Sequence, residues 1–171
     1  MTEPDLTPSQ HAMLKTLADH GQAEIIDRDL DVTLATMTDK PYIFASPTLA
    51  GAEGRAAVRD FYRHLMTQLP KDITFTLVTR TIGTDRIVSE LILTFTHDVA
   101  TDWLLPGIPS KAKQVELPVI VLYTFKGDKI DNERLYWDHA SLLAQVGLLG
   151  AGGLPIATAS VRRLRELSAR S

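Results

Sequence analysis

Glu133 lies in the run NERLYW, residues 132–137, where alternation sets it on one strand face with Leu135 and Trp137. Alternation alone does not say whether that face looks inward. If it does, the carboxylate loses hydration, its pKa rises, and it becomes a general acid or base near neutral pH. If it sits at a pocket mouth, an ion pair with arginine or lysine is the simpler role. His97 ends the run RIVSELILTFTH, on the face of Leu91, Leu93 and Phe95. An imidazole there titrates close to neutrality and can move protons; its bland alternative is a strand-end histidine bonded to backbone. Asp138 stands immediately before HASLLAQV, where its carboxylate suits an N-cap accepting from the first helical turn.

Other chemistries find little support. Cysteine is absent, which removes disulfides, thiolate metal sites and a cysteine nucleophile together. No G-x-S-x-G elbow, P-loop, H-E-x-x-H or dinucleotide fingerprint occurs. His97, Asp98, Glu116 and Glu133 have no metal-ligand spacing, so neither a metal nor another cofactor is expected. The formal charge of -3 argues against a nucleic-acid partner. Arg162, Arg163, Arg165 and Arg170 form the only basic cluster, and it reads as a solvated helix face. The start, MTEPDLTPSQ, lacks the basic and apolar stretches of a secretory signal. LPVIVLY, at 117–123, is too short to span a bilayer. A cytoplasmic protein with no membrane partner is expected.

Elements that must position these groups follow from punctuation and period. At 171 residues one domain is expected. Thr7, Pro8 and Gln10 spell a capping box that opens a first helix. Ala23, Ile26, Leu30, Leu34 and Met37, spaced by three and four, predict a second. Pro41 precedes a short strand, YIFAS, ended by Pro47, Gly51 and Gly54. GRAAVRDFYRHLMTQL is the clearest helix, with Val58, Phe61, Tyr62, Leu65 and Leu69 on one side. Two hairpins follow, turning near Gly83 and Gly127 and separated by the loop DWLLPGIPSK. Asp138 then begins a helix that Gly147 can end, and an Arg-rich helix closes the chain. The order predicts an α+β protein whose curved antiparallel sheet wraps the long helix.

That order, with GRAAVRDFY, FTHD, WLLPGIP and GDKIDNERLYWDHASLLAQVGL, resembles the nuclear transport factor 2-like superfamily, nearest its SnoaL-like, polyketide cyclase-like branch. The likeness covers roughly residues 22–149, and GLPIATASVRRLRE resembles the tail of a SnoaL-like subgroup. It implies a cone with an interior pocket over residues 1–149 and a C-terminal extension over 150–171. It also implies that Glu133, Leu135 and Trp137 look inward. The family's epoxide hydrolases are matched poorly: their catalytic aspartate position is Leu135, an arginine and second aspartate fall on Leu91 and Leu93, and Phe44 and Ser46 stand near their water-holding pair. Asp138 matches the family's aspartate after the aromatic pair. The resemblance therefore implies acid–base catalysis without a cofactor on a small hydrophobic carbonyl or lactone compound, as a cyclase, isomerase or hydrolase. Glu133 would move the proton, with His97 and Asp138 as further catalytic candidates. Trp137, Phe95, Leu135, Leu93, Tyr62 and Trp103 would shape the pocket. A non-catalytic binding or regulatory module is the alternative. A homodimer through the outer sheet face, including Glu90, is expected, because VELPVIVLYTF is apolar on both faces.

Overall fold

The computed structural model describes residues 6–150, 155–157 and 159–169. Helix α1 spans Pro8–Gly21, opened by the expected Thr7–Gln10 capping box. Met13, Leu17 and His20 form its buried face. The backbone then widens into π-type turns over Gln22–Asp27, and Arg28 ends them in the left-handed region at φ 53. Asp29 starts afresh, accepting from the backbone N–H groups of Asp31 and Val32 to cap α2, Leu30–Ala35. The single helix predicted from Ala23 to Met37 is thus two segments broken at Arg28 and Asp29, and Ile26 is 65% exposed.

Met37 already belongs to β1, Met37–Ala45, longer than the predicted YIFAS. Pro41 is tolerated there because the pairing of β1 with β6 shifts register between Met37 and Tyr42. Strand β2, Ala50–Glu53, was not anticipated from its glycines. Gly51, at φ 147, lets this strand lie against β1; a Cβ there would sit 2.1 Å from the Ile43 carbonyl oxygen. Helix α3, Arg55–Thr67, buries Val58, Tyr62, Leu65 and Met66. The two predicted hairpins are β3, Thr74–Ile82, with β4, Arg86–Thr96, and β5, Gln114–Lys126, with β6, Lys129–Trp137.

All six strands form one curved, unclosed sheet in the order β2-β1-β6-β5-β4-β3. Helix α4, His139–Gln145, and α5, Ser160–Ser168, follow the sheet. Arg165 of α5 pairs with Glu116 of β5 at 2.8 Å, while Arg170 and the glycines at 152 and 153 lie outside the described residues. The core has two apolar clusters. One gathers Leu91, Leu93, Phe95 and Leu117 under the loop carrying Trp103–Leu105. The other gathers Met13, Leu34, Ile43, Val58 and Tyr62 between α1, α3 and β1. Phe61, Tyr123 and Leu135 touch both clusters, and a cavity opens between them.

Candidate active site

That cavity has a volume of ≈ 470 Å³, within the range of small-molecule sites. Its walls are largely apolar, and its charged lining residues are Glu24, Arg80 and Glu133. Ile26 and Leu77, both well exposed, contribute apolar surface to its lining.

Glu133 reaches the cavity through its strand. The β5–β6 register shifts between Thr124 and Phe125. That shift lets Ile130 and Glu133, three residues apart, both turn inward. Glu133 keeps 3% exposure. Its partner is not arginine or lysine but His20, whose Nε2 lies 2.8 Å from Glu133 Oε1. The contact is an ion pair by distance; among the described residues Oε1 has no aligned hydrogen-bond donor.

His20 is 1% exposed and locked from behind. Its Nδ1 is 2.6 Å from Thr36 Oγ1. The Thr36 hydroxyl donates to the Thr33 carbonyl at 2.6 Å, so its oxygen accepts the proton of Nδ1. Nε2 then faces three oxygens: Glu133 at 2.8 Å, Tyr62 OH at 3.3 Å and Glu24 Oε2 at 3.4 Å. Burial disfavours the imidazolium, but the acidic groups beside it, Glu133 first and then Glu24, outweigh it and raise its pKa to about 10. His20 is therefore a cation at neutral pH.

Glu24 sits in the π-type segment, a geometry that recurs at functional sites. Its carboxylate stands beside His20, four residues back. Arg28 anchors the end of the segment by donating to the carbonyls of Leu69 and Pro70 beyond α3. Burial raises the Glu24 pKa, and the Glu133 charge adds to this against the opposing pull of His20. Burial and the charges of Glu133 and Glu24 likewise hold the Tyr62 and Tyr123 hydroxyls well above their usual range, so both stay neutral.

His20, Glu24 and Glu133 also offer three donor atoms within 4.8 Å of one another. An imidazole and two carboxylates could hold a divalent cation in competition with the His20 proton. His20 and Glu24 stand four residues apart, but Glu133 comes from a distant strand, so no spacing in the sequence brings the three together.

Other expected residues are distributed differently. Leu135 and Trp103 line the cavity. Trp137 stands one layer back, edge-on to Trp103 at 5.9 Å between ring centroids. Phe95, Leu93 and Tyr62 are buried without lining it. His97 does not join Glu133. The cross-strand row of Glu133 runs through Tyr123 to Ile87, and His97 lies ten residues further along the chain from Ile87, roughly 30 Å of extended strand. It is fully buried beside Phe95, neither ring nitrogen has a partner among the described residues, and burial lowers its pKa. Asp138 accepts from the Ser141 backbone N–H and caps α4.

His20 and Glu24 were absent from the sequence reading, yet a signal was present. Met13, Leu17, His20 and Glu24 follow at steps of four, three and four, so two polar residues continue the apolar face of α1.

A family model described as SnoaL-like domain matches residues 22–132. Solved structures share the fold. One, from Jannaschia sp. CCS1 and described as a SnoaL-like polyketide cyclase, is 17% identical over 86% of this chain and 100% of that one, with a TM-score of 0.70. A protein of ketosteroid isomerase-like fold from Catenulispora acidiphila, bound to trimethylamine, is 15% identical over 84% and 96%, with a TM-score of 0.61. The epoxide hydrolase/cyclase-like enzyme SalBIII, of pyran ring formation in salinomycin, is 17% identical over 77% and 95%, with a TM-score of 0.57. No curated protein matches the chain.

Proposed function

The chain belongs to the SnoaL-like domain family, and on that premise we propose that it performs acid–base catalysis on a small hydrophobic carbonyl or lactone compound. The reaction class is cyclisation, isomerisation or hydrolysis, and it needs no cofactor. One observation carries the reading: two carboxyl groups with different environments share one buried imidazolium and both face the same cavity. Such a split between neighbouring groups is how one site supplies an acid and a base together.

In this reading Glu133, 2.8 Å from the His20 ring, takes a proton from the carbon beside the substrate carbonyl. The electron pair moves onto the carbonyl oxygen, and Glu24, which retains its proton more readily, delivers it there. Trp103, in the cavity wall, has a buried indole N–H with no acceptor among the described residues. It is a ready donor to the developing oxyanion. Leu135, Leu91 and Phe61 supply apolar wall. The bound trimethylamine of the Catenulispora relative supports a small-molecule role for the cone. His97 and Asp138 have structural roles here, as a core histidine and a helix cap.

The test is a turnover screen over hydrophobic ketones and lactones. Glu133→Gln and Glu24→Gln should each lower kcat by about 10²- to 10⁴-fold while still binding the substrate. Undiminished turnover in both would remove this mechanism. Binding without turnover across the panel would favour the non-catalytic module.

We further place a homodimer on the outer sheet face, where Glu90, Ile120 and Tyr136 are successive neighbours across β4, β5 and β6. Ile120 and Tyr136 are 37% and 41% exposed, apolar area that a partner copy would cover. The cysteine-free composition suits a cytoplasmic location. Among the described residues no helix is long and apolar enough to cross a membrane.

A further inference from the structure

Arg80 is the cation lining the cavity wall, and the proton-transfer reading leaves it without a task. Its direction is built by a break in β3. Phe75 and Leu77 line the cavity from alternate positions. The β3–β4 register then shifts between Leu77 and Thr79. The shift reverses the parity, so Arg80 rather than Thr79 or Thr81 turns inward; bulges commonly re-aim a side chain beside an active site.

The guanidinium is held by one bond. Arg80 Nε donates to Ser89 Oγ at 3.1 Å, and Ser89 is 1% exposed. Neither terminal nitrogen has a hydrogen bond or ion pair among the described residues, although the cavity contains two carboxyl groups. Arg80, Ser89, Val121 and Leu135 are successive neighbours across β3, β4, β5 and β6. Glu133 lies two residues along β6 from that row. Three strand spacings, roughly 14 Å at the backbone, thus separate the strand of the cation from that of Glu133.

We propose that Arg80 anchors a carboxylate on the ligand, so that the substrate is a hydrophobic carboxylic acid spanning the cavity. This assignment rests on the acid–base reading only for what happens at the far end. A free planar fork matches a carboxylate with two parallel hydrogen bonds. One guanidinium balances one negative charge; a phosphate dianion would meet Glu133 and Glu24 with no second cation in the lining. The anchored acid lays its apolar body along Leu91 and Phe75 and presents its other end to Glu24 and Glu133.

Calorimetric titration of the full chain with two isosteric pairs tests this: 2-naphthoate against 2-naphthamide, and decanoate against decanamide. In the wild type at least one carboxylate should bind at least tenfold more tightly than its amide. Arg80→Gln should abolish that preference while leaving amide affinity unchanged, and Arg80→Lys should retain part of it. If Arg80→Gln does not fold, the wild-type preference and the Arg80→Lys ratio decide alone. Equal wild-type affinities, a preference that survives in Arg80→Gln, or no carboxylate binding up to millimolar concentration would each overturn the assignment. Glu24→Gln and Glu133→Gln should keep the preference, so failure of the catalytic reading appears in turnover and failure of this one in binding.

Discussion

His20 keeps its proton in a place that strips away water, because the carboxylate of Glu133 stands 2.8 Å from it. That has a signed consequence for stability. The folded-state pKa of about 10 lies above the ordinary 6.5, so the folded chain binds more protons than the unfolded chain between those values. The stabilisation is complete below pH 6.5 and is lost as pH rises toward 10. Glu24, also raised, acts with the same sign at lower pH. Replacing His20 by Gln removes the titration and leaves Glu133 without its counter-charge, at a cost of about 3–5 kcal/mol. Urea melts should show this gap between wild type and His20→Gln at pH 6, narrowing steadily toward pH 10; a constant gap would contradict the ion pair. Asp138→Ala makes a contrasting case. A lost cap should cost about 1 kcal/mol without changing turnover, whereas loss of activity in a folded variant would return Asp138 to the catalytic group.

At the scale of elements, helix α1 and the four long strands were legible, and the stretch from 22 to 37 and strand β2 were not. β4, β5 and β6 are long, and period-two alternation sets Glu133 and Leu135 on one face; the family resemblance implied that this face looks inward, and both residues line the cavity. The stretch 22–37 carries apolar residues at helical spacing, but π-type turns, the left-handed Arg28 and the Asp29 cap divide it. Spacing reports the period of a helix and is blind to where its axis changes. Glu24 stood instead at ordinary i,i+4 spacing from His20, and only the fold, by packing both against Glu133, marks that pair out from a solvated helix face. Strand β2 was hidden by its own glycine. Gly51 is needed because β1 passes too close for a side chain, so Gly51→Ala should lower stability by at least about 2 kcal/mol, read as a fall in Tm. An unchanged Tm would mean that β2 does not pack on β1 as described.

Across the whole molecule, a site from two distant stretches of chain, 20–24 and 133, could be read only in part. In sequence, Glu133 and His97 share one property, a place on an inward strand face, and that alone makes them companions. Rows of the sheet set His97 far along β4, and α1 supplies His20 instead. Sequence pattern identifies faces; it does not say which positions on two faces meet. The outer face is a separate matter at this scale. Ile120→Glu with Tyr136→Glu should convert a dimer to a folded monomer in sedimentation velocity, and a wild type that sediments as a monomer at all concentrations would refute the dimer. The cavity's chemistry depends above all on a protonated His20 between Glu24 and Glu133. Its ring can be observed directly by NMR titration of ¹³C,¹⁵N-labelled protein, assigned through His20→Gln. The His20 signal should stay that of an imidazolium through neutral pH and titrate near 10, moving to lower pH in Glu133→Gln. A midpoint at or below 6.5, unchanged by Glu133→Gln, would contradict the site.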